Sequence, residues 1–138
     1  MDIDWFFTNS DEIGFAASGG GQLPRSVAKS AENLELLALY FKNLPEKYGV
    51  IINPSLDKII TDGVDERYLK SFVQMAKKGL FSFDRTVLNS FTDPNYHLVA
   101  KPVSPLKTDE LPSEIVKILM ETRYSGNIGS ILDSSQII

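Results

Sequence analysis

Residues Asp65 to Asp84, DERYLKSFVQMAKKGLFSFD, constrain the fold most, because they carry a helix start, a buried face, a helix stop and a following strand without interruption. Asp65 is placed to accept a hydrogen bond from an N–H of the first turn. Glu66 puts negative charge at the positive end of the helix dipole, and Lys77 and Lys78 sit at its negative end. Tyr68, Leu69, Phe72, Val73 and Ala76 recur at the three- and four-residue spacings of an amphipathic helix, so one side of this helix faces a core. Gly79 is the expected stop, since only glycine enters the left-handed conformation after a helix without a Cβ penalty. Leu80, Phe81 and Phe83 then alternate as in a strand, which places that strand beside the helix.

At 138 residues the chain fits one domain, and a domain of this size buries roughly two thirds of the surface its unfolded chain exposes. It contains no cysteine, so disulfides and thiolate metal sites are excluded. The start MDIDWFF has acids where a signal peptide needs bases, and no apolar run approaches the length of a membrane span. The expectation is a cytoplasmic protein. Net charge is −4, distributed as 11 acids against 5 bases in residues 1–66 and 7 acids against 9 bases in residues 67–138. An acidic first half can steer a basic partner. No basic stripe with interleaved aromatics appears, which argues against nucleic acid.

Around the central stretch, Ile3, Trp5 and Phe7 alternate with Asp4, Phe6 and Thr8 in the period of a strand, and Ile13 to Ser18 return as its hairpin partner after Asn9-Ser10-Asp11-Glu12. Phe6 and Phe7 cannot both point inward from one flat strand, so one of them must be exposed, covered by a helix or part of an interface. Ser18-Gly19-Gly20-Gly21 ends the hairpin. Ser30 caps a second helix carrying Leu34, Leu37, Ala38, Phe41 and Leu44 and ending at Pro45. Val50 to Ile52 and Leu56 to Thr61 read as short strands. Val87, Leu88 and Phe91 suggest a short helical turn within the polar stretch Arg85 to Asn95. Tyr96 to Val103 reads as a strand that Pro102 either places at an edge or ends. Pro112 opens a third helix through Ile115, Ile118, Leu119 and Thr122, closed by Gly126, and the tail Asn127 to Ile138 docks as a late strand or frays. The fold class that follows is α+β, a single domain with an antiparallel or mixed β-sheet packed against two or three helices.

Chemistry is sparse. The triple glycine lacks a following Gly-Lys-Ser/Thr and the GxGxxG spacing, and the next helix begins too far on to aim its dipole at the loop, so it reads as a loop and not as a phosphate cradle. His97 is the only histidine. It has neither a clustered carboxylate at helical spacing for a metal nor a GxSxG elbow to serve as base, and no cofactor is expected. An enzyme using His97 would need an acid such as Asp84 or Asp93.

Asp4-Trp5-Phe6-Phe7-Thr8, Ala17-Ser18-Gly19-Gly20, Leu44-Pro45, Ala76 to Asp84, Lys101-Pro102 and Leu111-Pro112 together resemble small cytosolic immunity proteins of bacterial polymorphic-toxin and contact-dependent growth inhibition systems. The resemblance implies a stoichiometric inhibitor with no active site of its own, whose partner is a protein, a toxin catalytic domain. That family offers no shared contact motif to map onto these positions. The candidate partner-binding residues are therefore the acids of the first half: Asp2, Asp4, Asp11, Glu12, Asp57, Asp62, Asp65 and Glu66. A structural adaptor module, joining a larger assembly through exposed aromatics, is the remaining alternative.

Overall fold

Trp5, Phe6 and Phe7 follow one another on a single strand and all three are buried, an arrangement that needs a sheet covered on both faces. The computed structural model describes residues 2–60 and 63–137. Strands β1 (Asp4–Thr8), β2 (Ile13–Ala17), β3 (Val50–Ile52), β4 (Phe81–Arg85), β5 (Asn95–Pro102) and β6 (Ile131–Asp133) form one mixed sheet in the order β1-β2-β4-β5-β3, with β6 also on β5. Only β2 and β4 run parallel. A parallel pair requires a long crossover. The segment between them supplies it with α1 (Arg25–Ala28), α2 (Ala31–Lys42), α3 (Leu56–Ile59) and α4 (Glu66–Lys77), while α5 (Ser113–Leu119) follows β5.

Phe6, Phe15 and Val99 face the helices, packing with Leu37 and Phe41 of α2, Phe72 of α4, and Ile115 and Leu119 of α5. Trp5, Phe7, Phe83, Tyr96 and Leu98 face the other way, where Val27, Leu132 and the partly buried Tyr124, Ile128 and Ile137 cover them. The Phe6/Phe7 conflict is thus resolved by a second layer made of the glycine-loop region and the C-terminal tail, which docks as β6 instead of fraying. Trp5 sits edge-on to Tyr96 at 5.6 Å between ring centroids, and its indole N–H donates to the Tyr96 hydroxyl at 3.2 Å.

The local signals of the central stretch hold. Asp65 accepts from the Tyr68 N–H at 2.8 Å, Ser30 accepts from the Asn33 N–H at 3.1 Å, and Gly79 adopts φ 102°. Buried Lys78 does more than complement its own helix: its Nζ donates to the Lys42 carbonyl at 2.8 Å, tying together the ends of α2 and α4. Ser82, buried on β4, donates to the Phe72 carbonyl at 2.8 Å and locks α4 to the sheet.

Three expectations change, and one pair of alternatives is decided. Leu56 to Ile59 is a helical turn and not a strand, because the Asn53 carboxamide accepts from the Ser55 N–H and turns the chain so that Leu56 enters the helix-side core; Thr61 lies outside the described residues. Arg85 to Asn95 holds no helical turn but completes β4 and then loops to β5, with Leu88 and Phe91 exposed. Of the two alternatives for Pro102, the second holds: it ends β5, which lies inside the sheet and not at its edge, and the Val103 N–H then donates to the Gly49 carbonyl. The third helix stops at Leu119, well before Gly126, because Thr122 and Tyr124 leave it to exchange backbone hydrogen bonds with Thr8 of β1.

Gly14 lies opposite Phe7, whose ring rests where a Cβ would stand: an alanine methyl at this position would come within 2.1 Å of the ring. Gly14→Ala is expected to destabilise the protein by about 1–3 kcal/mol through displacement of a buried ring, read from urea unfolding. Adding Phe7→Leu should recover part of the loss, and an unchanged midpoint for the single variant would contradict the contact.

Candidate functional site

Strand register assembles a site that no short motif announces. Asp4 pairs with Ala17, Ala17 with Asp84, Asp84 with His97 and His97 with Ile131, so these residues form one row across the sheet. Paired positions share a face, here the helix face. Ala17 is too small to separate the Asp4 and Asp84 carboxylates that flank it. Tyr68 reaches down from the first turn of α4, and its hydroxyl donates to Asp84 Oδ2 at 2.6 Å and lies 3.4 Å from His97 Nε2. His97 Nδ1 is 2.9 Å from Thr86 Oγ1. His97 is only 4% exposed, with a hydroxyl against each ring nitrogen.

The electrostatics are those of crowded acids. Partial burial raises the Asp4 pKa, and Asp2 and Asp84 raise it further by repulsion. Burial also raises Asp84, an effect opposed by the Tyr68 hydroxyl and by the Arg85 backbone amide and reinforced by Asp2. The Tyr68 phenol is held far above its usual range by burial and by donation to Asp84, so it remains a donor. Burial lowers His97, leaving it neutral at physiological pH. The ion pairs found among the described residues join Lys29 to Glu121, and Lys107 to Asp11 and Glu12. None involves Asp2, Asp4 or Asp84. No group of three or more His, Asp or Glu side chains among the described residues is placed to hold a metal ion.

The eight acids read from the sequence therefore separate. Asp4 belongs to the row; Asp2 lies just before β1, near enough to raise Asp4 by repulsion, and accepts from the Gly19 N–H at 3.1 Å. Asp65 and Glu66 are exposed at the start of α4, and Asp65 connects to the row through Tyr68. Asp11 and Glu12 lie at the opposite end of the β1–β2 hairpin, where both contact Lys107 Nζ, at 3.0 and 3.2 Å. Asp57 is exposed on α3, apart from the row, and Asp62 lies outside the described residues. Of the two acids considered for His97, Asp84 is its cross-strand neighbour, whereas Asp93 accepts from the Asn95 backbone and side-chain amides. Tyr68 and Thr86 escape sequence reasoning: Tyr68 registers only as a core position of an amphipathic helix, and Thr86 carries no pattern.

Comparison with family models, with curated proteins and with solved structures finds no match to this chain.

The row sets a pH dependence with opposing signs. His97 has a folded pKa below its ordinary 6.5, so its contribution to stability is complete above pH 6.5 and is lost as pH falls toward the folded value. Asp4 and Asp84 have folded pKa values above 3.8, so the folded state binds the extra protons and stability declines as pH rises from 3.8 through those values. Denaturation measured across pH should show His97→Gln flattening the acid-side loss below pH 6.5, and Asp84→Asn raising stability at neutral pH. A His97→Gln curve parallel to the wild type would contradict a buried neutral imidazole.

Proposed function

We propose that this chain is a protein-binding inhibitor that offers its acidic row to a basic partner, and that its specific form is an immunity protein neutralising a toxin catalytic domain by stoichiometric binding. The observation that carries the reading is the group of carboxylates Asp2, Asp4 and Asp84, none of which pairs with a Lys or Arg among the described residues; burial raises the pKa values of Asp4 and Asp84, and repulsion adds to it, from Asp2 and Asp84 on Asp4 and from Asp2 on Asp84. Like charges held together are unfavourable in the free protein, and a cationic partner surface relieves that repulsion only in the complex. Asp65 and Glu66 extend the patch. Stable complexes bury on the order of 800 Å² per partner, about a tenth of the 7760 Å² surface of this chain. The row is therefore the centre of the interface and the neighbouring surfaces complete it.

A second reading, acid–base catalysis, is favoured by the 2.6 Å Tyr68–Asp84 hydrogen bond beside His97. It is the weaker of the two, because His97 is enclosed and a hydroxyl occupies each of its nitrogens.

The test is purification from the native host and identification of a partner at one-to-one stoichiometry, followed by association kinetics. Asp4→Lys is expected to slow association by about tenfold or more at low salt with a smaller effect on dissociation, whereas Asp11→Lys with Glu12→Lys should leave the on-rate near wild type. Equal effects at both ends of the hairpin, or none, would remove the acidic row from the interface. Turnover of a substrate lost in a folded His97→Gln variant would instead establish the catalytic reading.

A further inference from the structure

Arg85 is the next residue after Asp84 on β4, so its side chain crosses to the opposite face. There it is buried, with 2% of its surface exposed. No carboxylate pairs with it among the described residues. Nε donates to the Asp93 carbonyl at 3.3 Å, and Nη2 is buried without a hydrogen-bond partner. A buried guanidinium with an idle donor is costly and calls for an explanation.

The surroundings supply one. The guanidinium lies against Gly21, where an added Cβ would come within 2.2 Å of Nη1, so the last glycine of the Ser18–Gly21 loop is what allows the arginine to lie there. Gly21 and Asp93, which touch the guanidinium, stand between it and two adjoining cavities of about 500 and 300 Å³, whose walls they form and which Arg85 itself does not line. Both cavities share Gln22, Leu23 and the exposed Arg25, which adds a second guanidinium, and Ser134 and Ser135 add hydroxyls to the smaller one. Gly19 and Gly20 have φ values of 55° and 79°, the left-handed region that favours glycine, and the N–H groups of Gly19, Gly21 and Gln22 donate to Asp2 and to the Ser18 and Phe91 carbonyls, so the guanidinium groups are the donors left for an anion. The Asp93 carboxylate is engaged by Asn95, and Asp84 projects from the far face of the sheet.

We propose that Arg85 anchors an oxyanion site beneath the glycine loop, taking a carboxylate or phosphate group between its guanidinium and that of Arg25. The ligand enters by displacement of the loop at Gly21 and Gln22, and its oxygens complete the donors that Arg85 leaves idle. Planar, charge-assisted pairing of this kind is the characteristic chemistry of arginine with carboxylate and phosphate. The sheet separates this site from Asp4, Asp84 and His97, while Asp2 reaches the glycine loop itself through its hydrogen bond from the Gly19 N–H at 3.1 Å.

The experiment is thermal unfolding of the full chain titrated with inorganic phosphate and, separately, with acetate, alongside ¹⁵N spectra of Gly19 to Gln22. A bound anion stabilises the folded state in a saturable way. General salting effects do not saturate and act on every variant alike. Arg85→Met, which removes the buried charge and keeps the apolar stem, is expected to unfold at a higher temperature than wild type without anion and to lose the saturable increment. Arg25→Gln should weaken the binding by about tenfold. Saturation with phosphate alone identifies a phosphate site, and saturation with acetate as well identifies a carboxylate-compatible one. Anion responses that are linear and equal in wild type and Arg85→Met, with unshifted glycine signals, would overturn the proposal. Should Arg85→Met not fold, Gly21→Ala serves instead: its methyl displaces the guanidinium and should abolish saturation, and a Gly21→Ala protein that still binds would equally overturn it.

Discussion

The structure depends on one constraint: the sheet must be covered on both faces. Trp5, Phe6 and Phe7 cannot share a side, and neither large side chain tolerates water. Helices α2, α4 and α5 satisfy one face, and the second is covered by a tail with too little regular structure to be an independent layer. Each layer needs the other. The tail gains its apolar partners only because Trp5, Phe7, Phe83 and Tyr96 project toward it, and the hairpin can carry three successive aromatics only because the tail is there. Phe7 over Gly14 belongs to the same economy of space: where both faces are filled, a ring packs closest against a residue without a side chain.

The same constraint explains which features the sequence discloses. Helix α4 is legible from Asp65, its apolar stripe and Gly79 because caps and stripes are local, and α2 is legible from Ser30 for the same reason. The hairpin follows from alternation and a turn. The parallel pairing of β2 with β4 is not legible, because nothing near Gly14 or Phe81 states that residues more than sixty positions apart will be neighbours. Leu56 to Ile59 misleads because its apolar content suits a strand, while the turn at Asn53 and the burial of Leu56 settle it as a helix. The tail has no periodicity to read, since its apolar residues answer to gaps on the sheet and not to a repeat of their own.

The candidate site divides along similar lines. Acidity of the first half is visible in composition, yet composition cannot distinguish Asp11 and Glu12, which pair with Lys107 from far along the chain, from Asp4, which has no ion pair among the described residues. Register makes that distinction. Asp84 and His97 become neighbours only once β4 and β5 are paired, and Tyr68 joins them only once α4 is laid on the sheet. In the sequence Asp84 and Asp93 are equivalent candidates beside His97, and only register makes Asp84 its cross-strand neighbour.

Asp84 and Arg85 show how one strand end carries two chemistries. As successive residues they are directed to opposite faces, so a carboxylate enters the helix side and a guanidinium the tail side. Placed on one face they would pair with each other, and neither would be available to a partner or ligand. The pleat prevents that pairing and leaves each charge incompletely satisfied: Asp84 depends on the Tyr68 hydroxyl, and Arg85 on a single long hydrogen bond to a carbonyl. The free protein carries the cost of both charges. On the proposed readings, a cationic partner on one side would not remove the demand for an anion on the other, and the two faces would be distinct binding surfaces joined by a shared strand.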